Sequence, residues 1–328
     1  MTVLASPPVD ERREFRHEAH LYHSDEGFLV GTIPFIRDGL EAGDPVLVAA
    51  VVPKVDLLRD ALGQEAAHVG FVDLGRAGRN PARIIPLWQE FVEHHADHPG
   101  PIRGIGEPVW LGRSPAALVE CHHHEVLLDL AFTGGRPWWL VCPYDVAALP
   151  DEVVDRVSRS HGRVVGAPAS VGDGHGHGHG HGHGHRDDPL SLMAEPLDPA
   201  PPDAPGLTFD ASSLSAVRRA VAAHAEAAGL GPLAAQEYVL AVHEAATNSI
   251  LHGGGAGLVR WWNDDDGAVT EVQDRGRIVD KPLLGRVLPP ALEPGGRGMW
   301  LINHTCDLVQ LRSHHTGTVV RMFKHRGG

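Results

Sequence analysis

Three short motifs in the last hundred residues bring together side chains that can do chemistry: His243-Glu244-Ala245-Ala246-Thr247-Asn248, Asp274-Arg275-Gly276-Arg277 and Gly295-Gly296-Arg297-Gly298-Met299-Trp300-Leu301. Glu244 and Asn248 are four residues apart and share one face of a helix. A carboxylate with an amide one turn on can hold Mg2+ through oxygen and water ligands, or position a water or hydroxyl for attack on a γ-phosphate. The alternative is an ordinary polar helix face. Asp274 ends an alternating strand, where its carboxylate can accept from an exocyclic amine while Gly276 lets the backbone approach a flat ring; a turn after a strand would also use Asp-x-Gly. The glycine run from Gly295 to Gly298 precedes a short apolar helix, so its free amides and the helix N-terminus suit phosphate, with Arg297 adding charge. A plain glycine hinge is the other reading. In this order the motifs describe an ATP site that lacks a lysine phosphate clamp.

The elements that must position these residues follow from periodicity. In the segment 207–326, helices are expected at 212–228 and 232–251, strands at 257–263 and 268–274, a short helix at 299–304, and a hairpin of 306–313 with 318–324 turning at His315-Thr316-Gly317. That order implies a mixed sheet with helices on one face, a two-layer α/β sandwich. Residues 166–206 are rich in Gly, Pro, Ala, Asp and His and read as a disordered linker. Before it, residues 15–165 alternate short apolar strands (19–22, 46–52, 69–74, 102–105, 138–142) with amphipathic helices (26–42, 55–62, 81–95, 115–132, 146–161). Such alternation implies a doubly wound, mainly parallel sheet covered on both faces. The whole chain is α/β.

The three motifs resemble the GHKL, or Bergerat-fold, ATPases, and more narrowly their anti-sigma-factor serine kinase branch. The resemblance covers about 115 residues, and His-Glu-Ala-x-x-Asn and Gly-Gly-x-Gly-[apolar]-x-Leu are its most specific parts. It implies that Glu244 is the general base or water-orienting carboxylate, that Asn248 is the Mg2+ ligand, and that Asp274 reads adenine with Gly276 making room. It further implies that Gly295, Gly296, Arg297 and Gly298 hold the phosphates and that Thr318 lines the adenine pocket. The cofactors implied are ATP and Mg2+. The partners implied are a sigma factor and/or a STAS-type anti-anti-sigma protein, and a homodimer is plausible by the same resemblance. One departure stands out: the family often carries Asp-x-Gly-x-Gly, and Ile278 occupies the last glycine position. A histidine kinase would place its phosphoacceptor on a long helical hairpin, and the preceding Pro/Gly/His stretch has no coiled-coil heptads.

The N-terminal segment has no P-loop, because Lys54, Lys281 and Lys324 are the only lysines and none is followed by Ser or Thr. It looks like a degenerate RecA-type sheet. His20-Leu21-Tyr22, the run 35–40, Arg103-Gly104-Ile105-Gly106-Glu107 and the run 140–145 resemble the MEDS sensory domain, which implies sensing of a small molecule without naming it. Ligands of open parallel sheets sit beyond the carboxyl ends of the strands, which gathers His23, Asp73, Glu107, Cys142 and Tyr144 as candidates. The run Glu120-Cys121-His122-His123-His124-Glu125 lies on an expected helix, where Cys121 with Glu125 and Glu120 with His124 share faces; a Zn2+ or Fe2+ site there competes with a partly exposed polar helix. Consecutive histidines diverge by about 100° and cannot all meet one ion.

Composition narrows the function classes. A net charge of −14 argues against a nonspecific nucleic-acid or anionic-membrane binder. The longest apolar run, 46–52, is far too short to span a bilayer. Three widely spaced cysteines, Cys121, Cys142 and Cys306, suggest no disulfide framework, and residues 1–16 lack an apolar signal core, so a cytoplasmic protein is expected. The leading expectation is a signalling regulator whose N-terminal domain controls an ATP-binding, anti-sigma-factor-like serine/threonine kinase. Two alternatives remain: a non-catalytic interaction module in which ATP is structural or not bound, and a metal-responsive regulator using the six Gly-His repeats of residues 174–185.

Overall fold

The computed structural model describes residues 14–166, 187–287 and 296–327. The Gly-His repeats and Gly295 lie outside the described residues. Two compact units emerge, one ending at Asp187 and the other running from Asp188; the short piece Arg79–Pro86 groups with the second.

The first unit alternates strand and helix: β1 (Phe15–Tyr22), α1 (Asp25–Ala42), β2 (Val46–Ala50), α2 (Val52–Leu62), β3 (Gly70–Asp73), α3 (Leu74–Ala77), α4 (Ile84–His94), β4 (Ile102–Gly106), α5 (Pro115–Phe132), β5 (Trp138–Asp145), α6 (Asp151–Ser160) and β6 (Arg163–Val165). The sheet order is β3-β2-β4-β5-β1-β6, and every pairing is parallel. A central parallel strand is buried on both faces, and β2, Val-Leu-Val-Ala-Ala, is buried throughout. Side chains alternate across the pleat. Tyr22, Val48, Ile105, Trp139 and Val141 face Phe28, Phe35 and Ile36 of α1 and Val55, Leu58 and Leu62 of α2. On the other face Trp138 packs against Trp88 of α4 and Phe132 of α5, with ring centroids 5.6 and 4.8 Å apart. This is the doubly wound arrangement expected.

Local chemistry fixes the helix ends. Ser24 caps α1 by accepting from the Gly27 amide at 3.2 Å, and Gly43 closes it in the left-handed region (φ 76°). Ser114 caps α5 through the Ala117 amide, with Pro115 at the first helical position. The last helix of this unit starts at Asp151 rather than at residue 146, because the chain first turns on Asp145, whose carbonyl accepts from the Ala148 and Leu149 amides. β6 was not anticipated; three residues are too few to show a period.

The second unit comprises α7 (Pro189–Met193), β7 (Gly206–Asp210), α8 (Leu214–Ala227), α9 (Pro232–His252), β8 (Ala256–Asn263), β9 (Gly267–Asp274), α10 (Arg297–Thr305), β10 (Leu308–His314) and β11 (Gly317–His325). Its sheet runs β10-β11-β9-β8-β7 and is antiparallel throughout, not mixed. One core joins helices to sheet: Val217 and Val221 of α8, Tyr238, Val242 and Ala246 of α9 and Ile302 of α10 meet Val259, Val272, Val320 and Met322. The expected disordered linker is ordered over its last part, since α7 and the first residue of β7 fall before residue 207. No helix among the described residues is long and apolar enough to cross a membrane.

Candidate nucleotide site

The helix α9 starts with Pro232 at its first position and runs six turns, presenting its apolar side to the sheet and leaving Glu244 and Asn248 half-buried. Neither side chain has a hydrogen-bond partner among the described residues. Both face the start of α10: a Cβ placed on Gly298 would lie 3.1 Å from Glu244 Oε2, 3.1 Å from Asn248 Nδ2 and 3.3 Å from its Oδ1. A side chain at 298 would crowd both polar heads. Gly296 is the N-cap of α10 and holds φ at 80°, a left-handed conformation that glycine adopts without a Cβ penalty. Arg297, the first residue of α10, is exposed. The amides that open a helix have no intrahelical acceptors, so the start of α10 offers donors beside the Glu244–Asn248 pair.

The second half of the site grows from the sheet. Asp274 ends β9 and pairs with Thr318 on β11 and Gly257 on β8. Its Oδ1 accepts from the Gly276 amide at 2.7 Å and its Oδ2 from the Ser249 hydroxyl at 2.7 Å. Each oxygen keeps a further lone pair, so the carboxylate is fixed in place yet can still accept from an amine. Thr318 donates its hydroxyl to the Gly276 carbonyl at 2.9 Å. Ile278 is tethered in turn, its amide donating to Ser313 Oγ at 2.8 Å, and Ser313 lies 3.1 Å from the Thr318 hydroxyl. A second glycine at position 278 is therefore not needed to shape this loop.

The structure thus brings Glu244, Asn248 and Gly298 together, and Asp274, Gly276 and Thr318 together. Ser249 connects the two groups, because it follows Asn248 on α9 and holds Asp274 on β9. Ser249, Gly253 and Ser313 were missed from sequence. Gly253 closes α9, and a Cβ there would fall 2.3 Å from the Asp274 carboxyl carbon, so only glycine lets the helix end against that carboxylate. The oxygen donors of Glu244 and Asn248, lacking partners among the described residues and facing a helix start, fit a hard divalent cation with phosphate.

The N-terminal candidates separate across the sheet. Tyr22 donates its hydroxyl to Glu107 on the α1 face, while Cys142 and Tyr144 point to the α5 face. Asp73 instead caps α3, accepting from the Gly75 amide at 2.8 Å. The run 120–125 is buried rather than partly exposed, and Cys121 donates its thiol to the Pro108 carbonyl at 3.2 Å, so it does not join Glu125 at a shared ion.

Residues 16–162 match the family model described as MEDS, the methanogen/methylotroph, DcmR sensory domain. Residues 207–324 match that of the histidine kinase-like ATPase domain. No curated protein matches the chain. The chain joins a MEDS sensory domain to a histidine kinase-like ATPase domain, the composition of a signalling regulator.

Proposed function

We propose that the C-terminal domain binds Mg-ATP and transfers its γ-phosphoryl group to a serine or threonine of a partner protein, a STAS-type anti-anti-sigma protein, or sequesters the sigma factor itself, under control of the N-terminal domain. The observation that carries this reading is the Glu244–Asn248 pair, which faces the start of α10 across Gly298. Mg-ATP would supply the electrophilic phosphorus and the charge that offsets it. Asn248 Oδ1 would contribute a neutral oxygen to the cation. Glu244 would accept or orient the proton of the incoming hydroxyl. Arg297 and the first amides of α10 would face the developing negative charge. Asp274, held by Ser249 and Gly276, would accept from the exocyclic amine of the base.

Calorimetric titration of Mg-ATP, combined with transfer of labelled γ-phosphate, tests the assignment. Asn248→Ala is expected to lose Mg-dependent binding. Glu244→Gln is expected to keep binding and lose transfer. Full affinity and transfer in Asn248→Ala would refute the site. Binding without transfer to any STAS-type substrate in the unaltered protein would leave a nucleotide-binding interaction module instead of a kinase.

A further inference from the structure

Four side chains from four separate elements of the N-terminal domain converge in its interior: His17 of β1, Glu125 of α5, Cys142 of β5 and His161 just after α6. One ligand-competent atom from each lies within 4.8 Å of every other, and all four residues are buried. Strand register produces half of the cluster. β1 and β5 are adjacent and parallel, with His17 opposite Leu140, so alternation points His17 and Cys142 to the same face, beneath α5.

The geometry differs from an ordinary ion pair. Glu125 Oε2 lies 2.8 Å from His17 Nε2 and 3.2 Å from His161 Nε2. Yet Glu125 Oε1 and Oε2 and His161 Nε2 have no hydrogen-bond partner among the described residues. The atoms stand at ion-pair distance without meeting hydrogen-bond geometry. Cys142 Sγ lies 3.4 Å from His17 Nε2. The outer nitrogen of His161 is engaged elsewhere: Nδ1 is 3.0 Å from the Val157 carbonyl, while His17 Nδ1 is 3.5 Å from Asp129 Oδ1 without a hydrogen bond. A ring that donates from Nδ1 presents a lone pair at Nε2, the arrangement by which carbonyls and carboxylates orient metal-bound histidines. Donors at ~2.0–2.3 Å from a tetrahedral ion stand roughly 3.3–3.6 Å apart; the cluster's separations are 2.8, 3.2 and 3.4 Å and none exceeds 4.8 Å.

We propose that His17 Nε2, Glu125, Cys142 Sγ and His161 Nε2 hold one divalent transition-metal ion of the Zn2+ class. Two imidazoles, a thiolate and a carboxylate suit a four-coordinate ion of borderline softness better than Mg2+ or Ca2+. Binding is a pure exchange of protons for the ion. Cys142 loses its thiol proton and His17 any proton on Nε2, both to solvent, and the site closes with no net charge from the ion and its two anionic ligands. A cavity of ≈ 20 Å³, bordered by Glu125, Tyr144, Val109 and Val157, reaches the cluster and has room for about one water.

The Gly-His repeats would also take up metal, so the test needs a readout tied to sulfur. Co2+ is titrated into the full chain in which His175, His177, His179, His181, His183 and His185 are replaced by serine. The expected result is a thiolate-to-Co2+ charge-transfer band that saturates at one equivalent per chain and is displaced by Zn2+. It should persist in Cys121→Ser and Cys306→Ser and vanish in Cys142→Ser. Should Cys142→Ser not fold, the two other cysteine variants still assign the sulfur by elimination, and a Zn2+-dependent rise in melting temperature of the repeat-free chain gives a second reading. A folded repeat-free chain that shows no sulfur band, or a band that follows Cys121 or Cys306, overturns the proposal.

Discussion

The hydroxyl of Ser249 lies 2.7 Å from Oδ2 of Asp274 and ties the last turn of helix α9 to the end of strand β9. It sets the distance between the Glu244–Asn248 pair and Asp274, the two halves of the proposed nucleotide site. Ser249→Ala removes that bond and frees the carboxylate to rotate. A hydrogen bond to a charged group contributes about 1.5–3 kcal/mol, so ATP affinity should fall roughly 10-fold or more while the domain stays folded. Calorimetry with circular dichroism checks both parts; unchanged affinity would mean that Ser249 does not position Asp274.

Gly253→Ala attacks the same carboxylate from the other side. The φ of −98° at this position suits alanine, so the conflict is steric alone. The new methyl would meet the Asp274 carboxyl at 2.3–2.6 Å. Overpacking of this kind costs about 1–3 kcal/mol, and the shifted Asp274 should weaken ATP binding as well. Urea unfolding and nucleotide titration on the same protein report the two effects.

Arg321 of β11 donates from Nε to Glu271 Oε2 at 2.9 Å, and both side chains are buried. Its guanidinium also reaches the Asp198 carbonyl at 2.6 Å. Arg321→Met would strand the Glu271 carboxylate in the sheet. Losing one partner of a buried pair costs about 3–5 kcal/mol, so the C-terminal domain should melt markedly earlier, and Arg321→Met combined with Glu271→Leu should recover much of the loss.

Glu107 gives the N-terminal domain a pH dependence of a particular sign. Burial pushes its carboxyl from 4.5 up to about 7, against the opposing pull of the Tyr22 hydrogen bond and the Lys54 charge. Between those values the folded protein keeps a proton that the unfolded chain has lost. The Glu107 contribution to stability therefore falls as pH rises from about 4.5 to about 7 and levels off above, by about 3 kcal/mol in all. Glu107→Gln stays neutral and should lose this slope, gaining stability over the unaltered protein at pH 8. Equal slopes in urea midpoints between pH 5 and 8 for both proteins would contradict the assignment.

Much of the candidate nucleotide site, as the grouping of Glu244, Asn248, Asp274 and Gly276, was legible in the sequence because its parts are local. Glu244 and Asn248 share a helix face by spacing, and Asp274 and Gly276 sit at the end of a strand whose alternation is plain. Ser249 and Gly253 were not legible, since their roles depend on where β9 passes, a distance set by packing rather than by neighbours in the chain. The run at 120–125 offered Cys121 with Glu125 and Glu120 with His124 as face-sharing pairs of α5. Glu125 is the member of that run that meets His17, Cys142 and His161, and those three come from elements far apart, joined through strand register and sheet face. β7 escaped for a simpler reason: Leu207 and Phe209 are too few to establish a period of two.

The strand order of the first sheet has a consequence for how the chain is made. β1 emerges first, yet Phe15 pairs with Trp138 of β5, and its other neighbour is β6, later still. At synthesis rates of roughly 5–20 residues per second, β1 waits many seconds on the ribosome with both hydrogen-bonding edges unpaired. His17 waits with it, because Cys142 and His161 have not been made. This interior strand is thus exposed to wrong partners longer than any other of its sheet, and the nascent chain has a stretch that chaperones would find first.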